Sequence, residues 1–370
     1  MSKKNEKIII PLIAVGLGIL VGMIILLLSG KDIATLFAGL VKGLTGYDML
    51  KAGSAVNLRY PGEFLVSTMP IILTGLSISF AYRTGMFNIG CEGQVIMGSL
   101  VSCMVAILVP MPNFIAVVVC IIVGGIAGAL WAFIPGLLKS KFNISEVVTG
   151  IMLNYTALYG ANYFLRALPG SSAQRTVNIP ENAMLGSELF KQITNNSRFH
   201  WGFIIVIIAV VLFWFIIEKT SFGYSLRATG FNKEGARYAG IKVNKSIILS
   251  IMISGFLAGI AGAIVVQGTF GYGRVMVAMD NYGFDGIAVA LVGGCTALGV
   301  TFAGMLFGLL KVTQPLLQTF GVPKEIGEII SSSIVFFVAL QYAIQYYLLK
   351  FTSGKKKKKQ ELQPQGGDVK

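Results

Sequence analysis

Charge is what this 370-residue chain has least of. Asp, Glu, Lys and Arg together make up 12% of it, against roughly 25% in a soluble domain, so a soluble domain of useful size is excluded. Histidine occurs once, as His200, which leaves a zinc site and a His-based triad without their groups. The four cysteines, Cys91, Cys103, Cys120 and Cys295, lie in or beside apolar runs without CxxC spacing; they read as small buried hydrophobes. No G-x-x-x-x-G-K-[ST] occurs, so nothing cradles a nucleotide phosphate. Nor does any series of acids or histidines inside the apolar runs offer a proton relay. No catalytic residue, cofactor or metal is expected.

What the chain has in abundance is apolar sequence, at 55%. Runs of about 20 apolar residues recur, at 8–30, 64–83, 92–110, 114–138, 144–166, 201–217, 246–268, 283–298, 300–318 and 326–349. The expected fold is all-α, a polytopic bundle of about ten transmembrane helices. The first run is too long for a signal peptide and lacks a small-x-small cleavage site, so it reads as a retained span. Placing both termini in the cytoplasm puts 19 Lys and Arg inside and 10 outside, the side that positive charge prefers. The net charge of +14 therefore belongs to span ends and to the Lys355–Lys359 tail, and nucleic acid is not an expected partner. Residues 1–349 form one transmembrane domain, and 350–370 read as a basic, disordered cytoplasmic tail. Segment 31–63, amphipathic through Leu36, Phe37, Leu40, Val41 and Leu44, is expected to lie in the outer interface. Segment 167–200, with Pro169, Gly170, Pro180 and several Asn, reads as an extracellular loop with little regular structure.

A basic island at 218–245 carries six Lys or Arg against Glu218 and Glu234. Asn232 can cap a helix of about two turns there, and Gly240 can end it; an ordered charged helix between spans looks like a docking surface. Gly124 with Gly128, Gly255 with Gly259 and Gly304 with Gly308 have the spacing that lets helices approach closely in lipid. In the fifth run, Ser145, Thr149, Met152, Thr156, Tyr159, Tyr163 and Arg166 share one helix face, with Glu146, Asn154, Tyr155 and Asn162 nearby. So polar a face should not meet lipid; it either glues helices together or lines a wet path for a neutral polar solute. Between Tyr82 and Gly98, the glycines Gly85 and Gly90 loosen the backbone around Arg83, Asn88, Glu92 and Gln94. Either Glu92 pairs with Arg83, or a broken segment exposes Asn88, Glu92 and Gln94 to a cavity. Asp285 opens the eighth run and Gly293-Gly294 close it. The aromatics Tyr155, Tyr159, Phe270 and Tyr272 either pack or stack on a ring-shaped solute.

Four blocks in order, PIILTGLSISFAYRTGMFNIGCEGQ (70–94), SEVVTGIMLNY (145–155), LRATGFNKEGARYAGI (226–241) and FDGIAVALVGG (284–294), resemble the signatures of bacterial ABC-importer permeases. The branch is the one that groups branched-chain amino-acid, simple-sugar and nucleoside systems. FNIGCEGQ is most like the nucleoside and simple-sugar members, which usually have a small residue where Cys91 stands. The resemblance spans 64–349. It implies a subunit of the bacterial cell membrane that pairs with a sibling permease, binds an ABC ATPase inside, and receives a small-molecule substrate, a nucleoside or a simple sugar, from an extracellular substrate-binding lipoprotein. ATP hydrolysis would belong to the partner. By the same resemblance the island is the coupling helix, with Asn232, Lys233, Glu234, Arg237 and Tyr238 as contacts. The candidate path residues are Asn88, Glu92, Gln94, Thr149, Asn154, Tyr155, Thr156, Tyr159 and Asp285. An ion-driven transporter working alone would need a membrane acid, for which Glu92, Glu146, Asp285 and Glu328 are available.

Overall fold

The computed structural model describes residues 3–340 apart from 52; the end of the tenth apolar run and the 350–370 tail lie outside the described residues. Among those described the order is α1 (Lys3–Leu28), α2 (Ile33–Thr45), α3 (Arg59–Tyr82), α4 (Cys91–Leu108), α5 (Asn113–Phe142), α6 (Glu146–Ala167), β1 (Arg175–Asn178), α7 (Glu188–Ile193), α8 (Gly202–Lys219), α9 (Ser221–Phe231), α10 (Lys233–Tyr238), α11 (Val243–Ile264), β2 (Tyr272–Arg274), α12 (Tyr282–Val292), α13 (Ala297–Thr319) and α14 (Lys324–Ala339). A six-residue π-helical turn, Val265–Phe270, extends α11. Each of the ten apolar runs holds a helix. Among the described residues, six helical stretches, in α3, α4, α5, α8, α11 with its π-helical turn, and α13, are long and apolar enough to cross a membrane.

Helix α3 is the central column, buried without interruption from Thr68 to Ala81. Two of its hydroxyls return to the helix backbone: Thr68 donates to the Phe64 carbonyl at 2.8 Å and Thr74 to that of Pro70 at 3.0 Å. Around this column, helices close to backbone contact at small residues. Gly124 and Gly128 of α5 face Gly259 and Gly255 of α11, and a methyl group on any of the four would fall onto backbone or a side chain opposite. Gly98 of α4 meets Gly259 in the same way, and Gly304 and Gly308 of α13 lie over Ile72 and Thr68.

Helix α2 buries Leu36, Ala38, Gly39 and Gly43, the two glycines against Leu309, Val312, Thr313 and Leu317 of α13, and leaves Phe37 and Leu44 exposed. Two segments differ from the sequence expectation. Segment 167–200 is more ordered than its Pro and Asn content implied. There β1 pairs antiparallel with β2, the buried Thr176 accepts from the Gly273 amide at 2.9 Å, and the Asn182 side chain donates to the Met111 carbonyl at 2.6 Å. Second, α12 has 11 residues, about 16 Å of helix, half of what a bilayer core of about 30 Å requires. Asn281 at φ 66° sets its start and Gly294 at φ 59° follows its end, so the run 283–298 is a half-helix and a turn.

His200 sits fully buried beside α8, its Nδ1 accepting from the Gly202 amide at 3.1 Å. Burial pushes the imidazole down to about 4. An unfolded histidine titrates near 6.5, so the unfolded chain takes up the proton first. Stability is then complete above about pH 6.5 and falls, by up to about 3 kcal/mol, as pH drops towards 4. Melting temperatures in detergent across pH 7.5 to 4.5 should show this slope, and His200→Gln should flatten it; an equally steep slope in the variant refutes the assignment. Separately, Gly259→Leu should wedge α5 from α11 and destabilise the fold by about 1–3 kcal/mol. Gly16→Ala, where the added Cβ meets nothing within 4 Å, should leave the melting temperature unchanged.

Candidate functional site

The loop between α3 and α4 is held by amides and hydroxyls. Asn88 and Gln94 form a reciprocal pair at 2.8 and 3.0 Å, and Asn88 also donates to the Ser254 hydroxyl of α11 at 2.8 Å. Ser254 in turn lies 2.9 Å from the Ser77 hydroxyl of α3. From α6, Asn154 accepts from the Gly93 amide at 2.8 Å and donates to the Ile89 carbonyl at 3.0 Å. Asn88, Gln94 and Asn154 are therefore buried and fully engaged. Arg83 does not reach Glu92: it pairs with Glu218. Glu92 instead accepts from the backbone amides of Asn281 and Gly283, at 3.0 and 2.5 Å, and so caps the start of α12 from another helix.

That start is the most charged place in the bundle. Lys311 of α13 lies 3.0 Å from the Asp285 carboxylate, donates to the Asp280 carbonyl at 3.3 Å, and stands over the Tyr282 ring at 4.0 Å. Arg274 pairs with Asp280 and covers the Phe270 ring at 3.8 Å. Irregular backbone at membrane depth persists only where protein or a wet cavity satisfies it, and a half-helix is a common marker of a transport site. Glu92, Ser99, Phe270, Tyr272, Arg274 and Tyr282 line a crevice there of about 20 Å³. That is room for a water and far below the roughly 300 Å³ of a small ligand pocket. The crevice is shut. Lys311 escaped the sequence reading because a lone Lys in an apolar run points to no partner; its acid stands 26 residues upstream.

The polar face of α6 is open. Tyr155, Thr156 and Tyr159 are exposed and Thr149 is half-buried, while the two threonine hydroxyls turn back to the Met152 and Ser145 carbonyls. On the island, the Asn232 side chain caps α10 by accepting from the Gly235 amide at 3.0 Å, and Gly240 ends the segment at φ 81°. Glu234 and Arg237 pair at 2.8 Å on the surface. Tyr238 is 97% exposed and Phe231 95%. Phe231 was missed because, next to an Asn cap, it reads as the helix's hydrophobic staple.

Comparison with known proteins follows the same lines. Residues 60–352 match the family described as branched-chain amino acid transport system, permease component. The guanosine ABC transporter permease protein NupP of Bacillus subtilis is 42% identical over 97% of this chain and 99% of its own length. The nucleoside ABC transporter permease protein NupB of Lactococcus lactis is 35% identical over 95% of each. A second Bacillus subtilis protein, the guanosine ABC transporter permease protein NupQ, is 29% identical over 67% of this chain and 79% of its own. No solved structure matches the chain.

The Lys311–Asp285 pair gives a sharp expectation, because removing one partner strands the other charge. Lys311→Met should lower stability in detergent by on the order of 2 kcal/mol. The double variant Lys311→Met with Asp285→Asn should recover much of that loss. Equal melting temperatures for the single and double variants would mean that the pair is not coupled.

Proposed function

The chain belongs to the branched-chain amino acid transport system permease component family, and from that premise we propose that it forms, with a sibling permease, the path by which an ATP-driven importer carries a nucleoside into a bacterial cell. The observation that carries this reading is near full-length similarity to permeases named for guanosine and nucleosides. That NupP and NupQ of one organism both resemble this chain supports pairing with a dissimilar sibling. An extracellular substrate-binding lipoprotein delivers the nucleoside, and a cytoplasmic ATPase hydrolyses ATP.

In this reading the bundle lies in the plasma membrane with both termini in the cytoplasm, and the half-helix α12 enters it only part of the way. Island 218–245 then faces the ATPase, with Asn232 fixing α10 and Lys233, Glu234, Arg237 and Tyr238 presented to it. Exposed aromatics of this kind are the usual anchors of a protein interface, and Phe231 joins them. In the path, Asn88, Gln94 and Asn154 build the wall, while Glu92 and Asp285 hold the half-helix α12 across it. Thr149, Tyr155, Thr156 and Tyr159 face the solute. ATP-driven closure of the ATPases rocks the two permeases and exchanges an outward for an inward opening. Ion coupling is disfavoured because three of the four membrane acids are engaged: Glu146 pairs with Lys139 at 3.0 Å, Asp285 with Lys311, and Glu92 with backbone amides.

The Glu234–Arg237 pair is exposed and adds little to stability, so reversing either charge should spare the fold and damage docking. In the assembled importer, Glu234→Lys and Arg237→Glu should uncouple ATP hydrolysis from guanosine uptake. Tyr238→Ala should weaken ATPase association about thirtyfold, the equivalent of about 2 kcal/mol for an anchor residue. Substrate-stimulated hydrolysis and uptake at wild-type level in all three would remove the coupling assignment.

A further inference from the structure

At its outer end the open face of α6 borders a cleft of about 850 Å³, the size of a small-molecule site and unlike the shut crevice beside α12. One wall is the loop after β2. It is clamped to α6 by Asn162, whose amide donates to the Met276 carbonyl at 2.7 Å and accepts from the Met276 amide at 2.8 Å. The wall is thus fixed before any solute arrives, which removes part of the ordering cost of binding. Into the cleft project Tyr159 and Tyr163, 66% and 71% exposed. They stand one helical turn, about 6 Å, apart along the axis. Phe164 packs edge-on to the Tyr163 ring at 5.4 Å between centroids and limits how that ring can turn. Beyond them lie Arg166 and Gln174, and Arg166 forms no ion pair among the described residues.

We propose that Tyr159 and Tyr163 are a stacking subsite for the base of a nucleoside entering the path, with Arg166 and Gln174 receiving its ribose hydroxyls. The inference rests on the nucleoside reading of the preceding subsection and adds residues to it. Two phenol faces accept any base, since stacking on an aromatic ring is worth about 1–3 kcal/mol per base and is tolerant of base identity. A guanidinium and a carboxamide supply donors and an acceptor for the sugar. Lipid is a poor occupant, because two phenols, a guanidinium and a carboxamide leave too many polar groups to satisfy. The same face, with Thr156 and Met152 one and two turns below, continues along α6 towards its cytoplasmic end.

The four native cysteines are buried, so a thiol introduced at the rim by Ala173→Cys is a selective reporter. In the complete importer with its binding protein, a membrane-impermeant maleimide added outside should label it. Guanosine should slow the labelling at least fivefold, and ribose alone should not. Adding Tyr163→Ala should abolish the protection, whereas Tyr163→Phe should retain it at equal membrane abundance. No labelling in the assembled importer would mean that a neighbouring subunit covers the face. Labelling indifferent to guanosine, or protection that survives Tyr159→Ala with Tyr163→Ala, would equally overturn the subsite. Failure of the native importer to take up radiolabelled guanosine would instead overturn the nucleoside reading, and the two failures are read separately.

Discussion

Inside a membrane every backbone amide and carbonyl must find its partner within the protein, and much of the polar architecture follows from that constraint. Helices satisfy it alone. Among the irregular stretches between helices are 83–90, 271–281 and 293–296. The first two are served by side chains brought from other helices: Asn154 crosses from α6 to serve Ile89 and Gly93, and Glu92 serves Asn281 and Gly283. The third serves itself, Thr296 accepting from the Gly299 amide at 3.2 Å. Asn154 and Glu92, buried polar residues of the bundle, are thus among the ones that allow it to be irregular.

Close helix approach is the complementary device. Hydrophobic burial gives helices no reason to associate once lipid surrounds them, so contact depends on surface shape and small residues. The facing glycines of α5 and α11 make a smooth seam, and α4 joins it through Gly98. A rigid seam of this kind leaves α6 attached mainly by its Asn154 side and open on the other. The polar network and the open face are thus opposite sides of one helix, and their roles differ accordingly.

Local features were legible in the sequence and distant ones were not. The apolar runs located ten helices because span length is a property of the run itself. The Asn232 cap and the Gly240 stop were legible because cap and helix are three and eight residues apart. The half-helix was not, since FDGIAVALVGG has the same apolar content whether it continues or stops; only the chain reversal at Gly293-Gly294 ends it. Glu92 shows the limit most clearly. Its nearest cation in sequence is Arg83, yet Arg83 is taken by Glu218, 135 residues away, and Glu92 by amides near 281 and 283.

The island and the half-helix, at first two unrelated features, are physically continuous. Glu218, where the island begins, binds both Arg83 and Arg227, the latter at 2.7 Å. At the foot of α9, Gly230 presses on Gly85 so closely that a side chain on either would meet the other's backbone. Residue 85 lies in the loop that Asn88, braced by Gln94, ties to Ser254 of α11, and that loop delivers Glu92 to the first amides of α12. No flexible linker interrupts the sequence of contacts from α9 through loop 83–90 to the Asp285–Lys311 pair. A displacement at the surface of the island therefore meets stiff structure up to the shut crevice. Because both glycines are needed for the contact, the stiffness is a matter of backbone against backbone, which side-chain rotation cannot absorb.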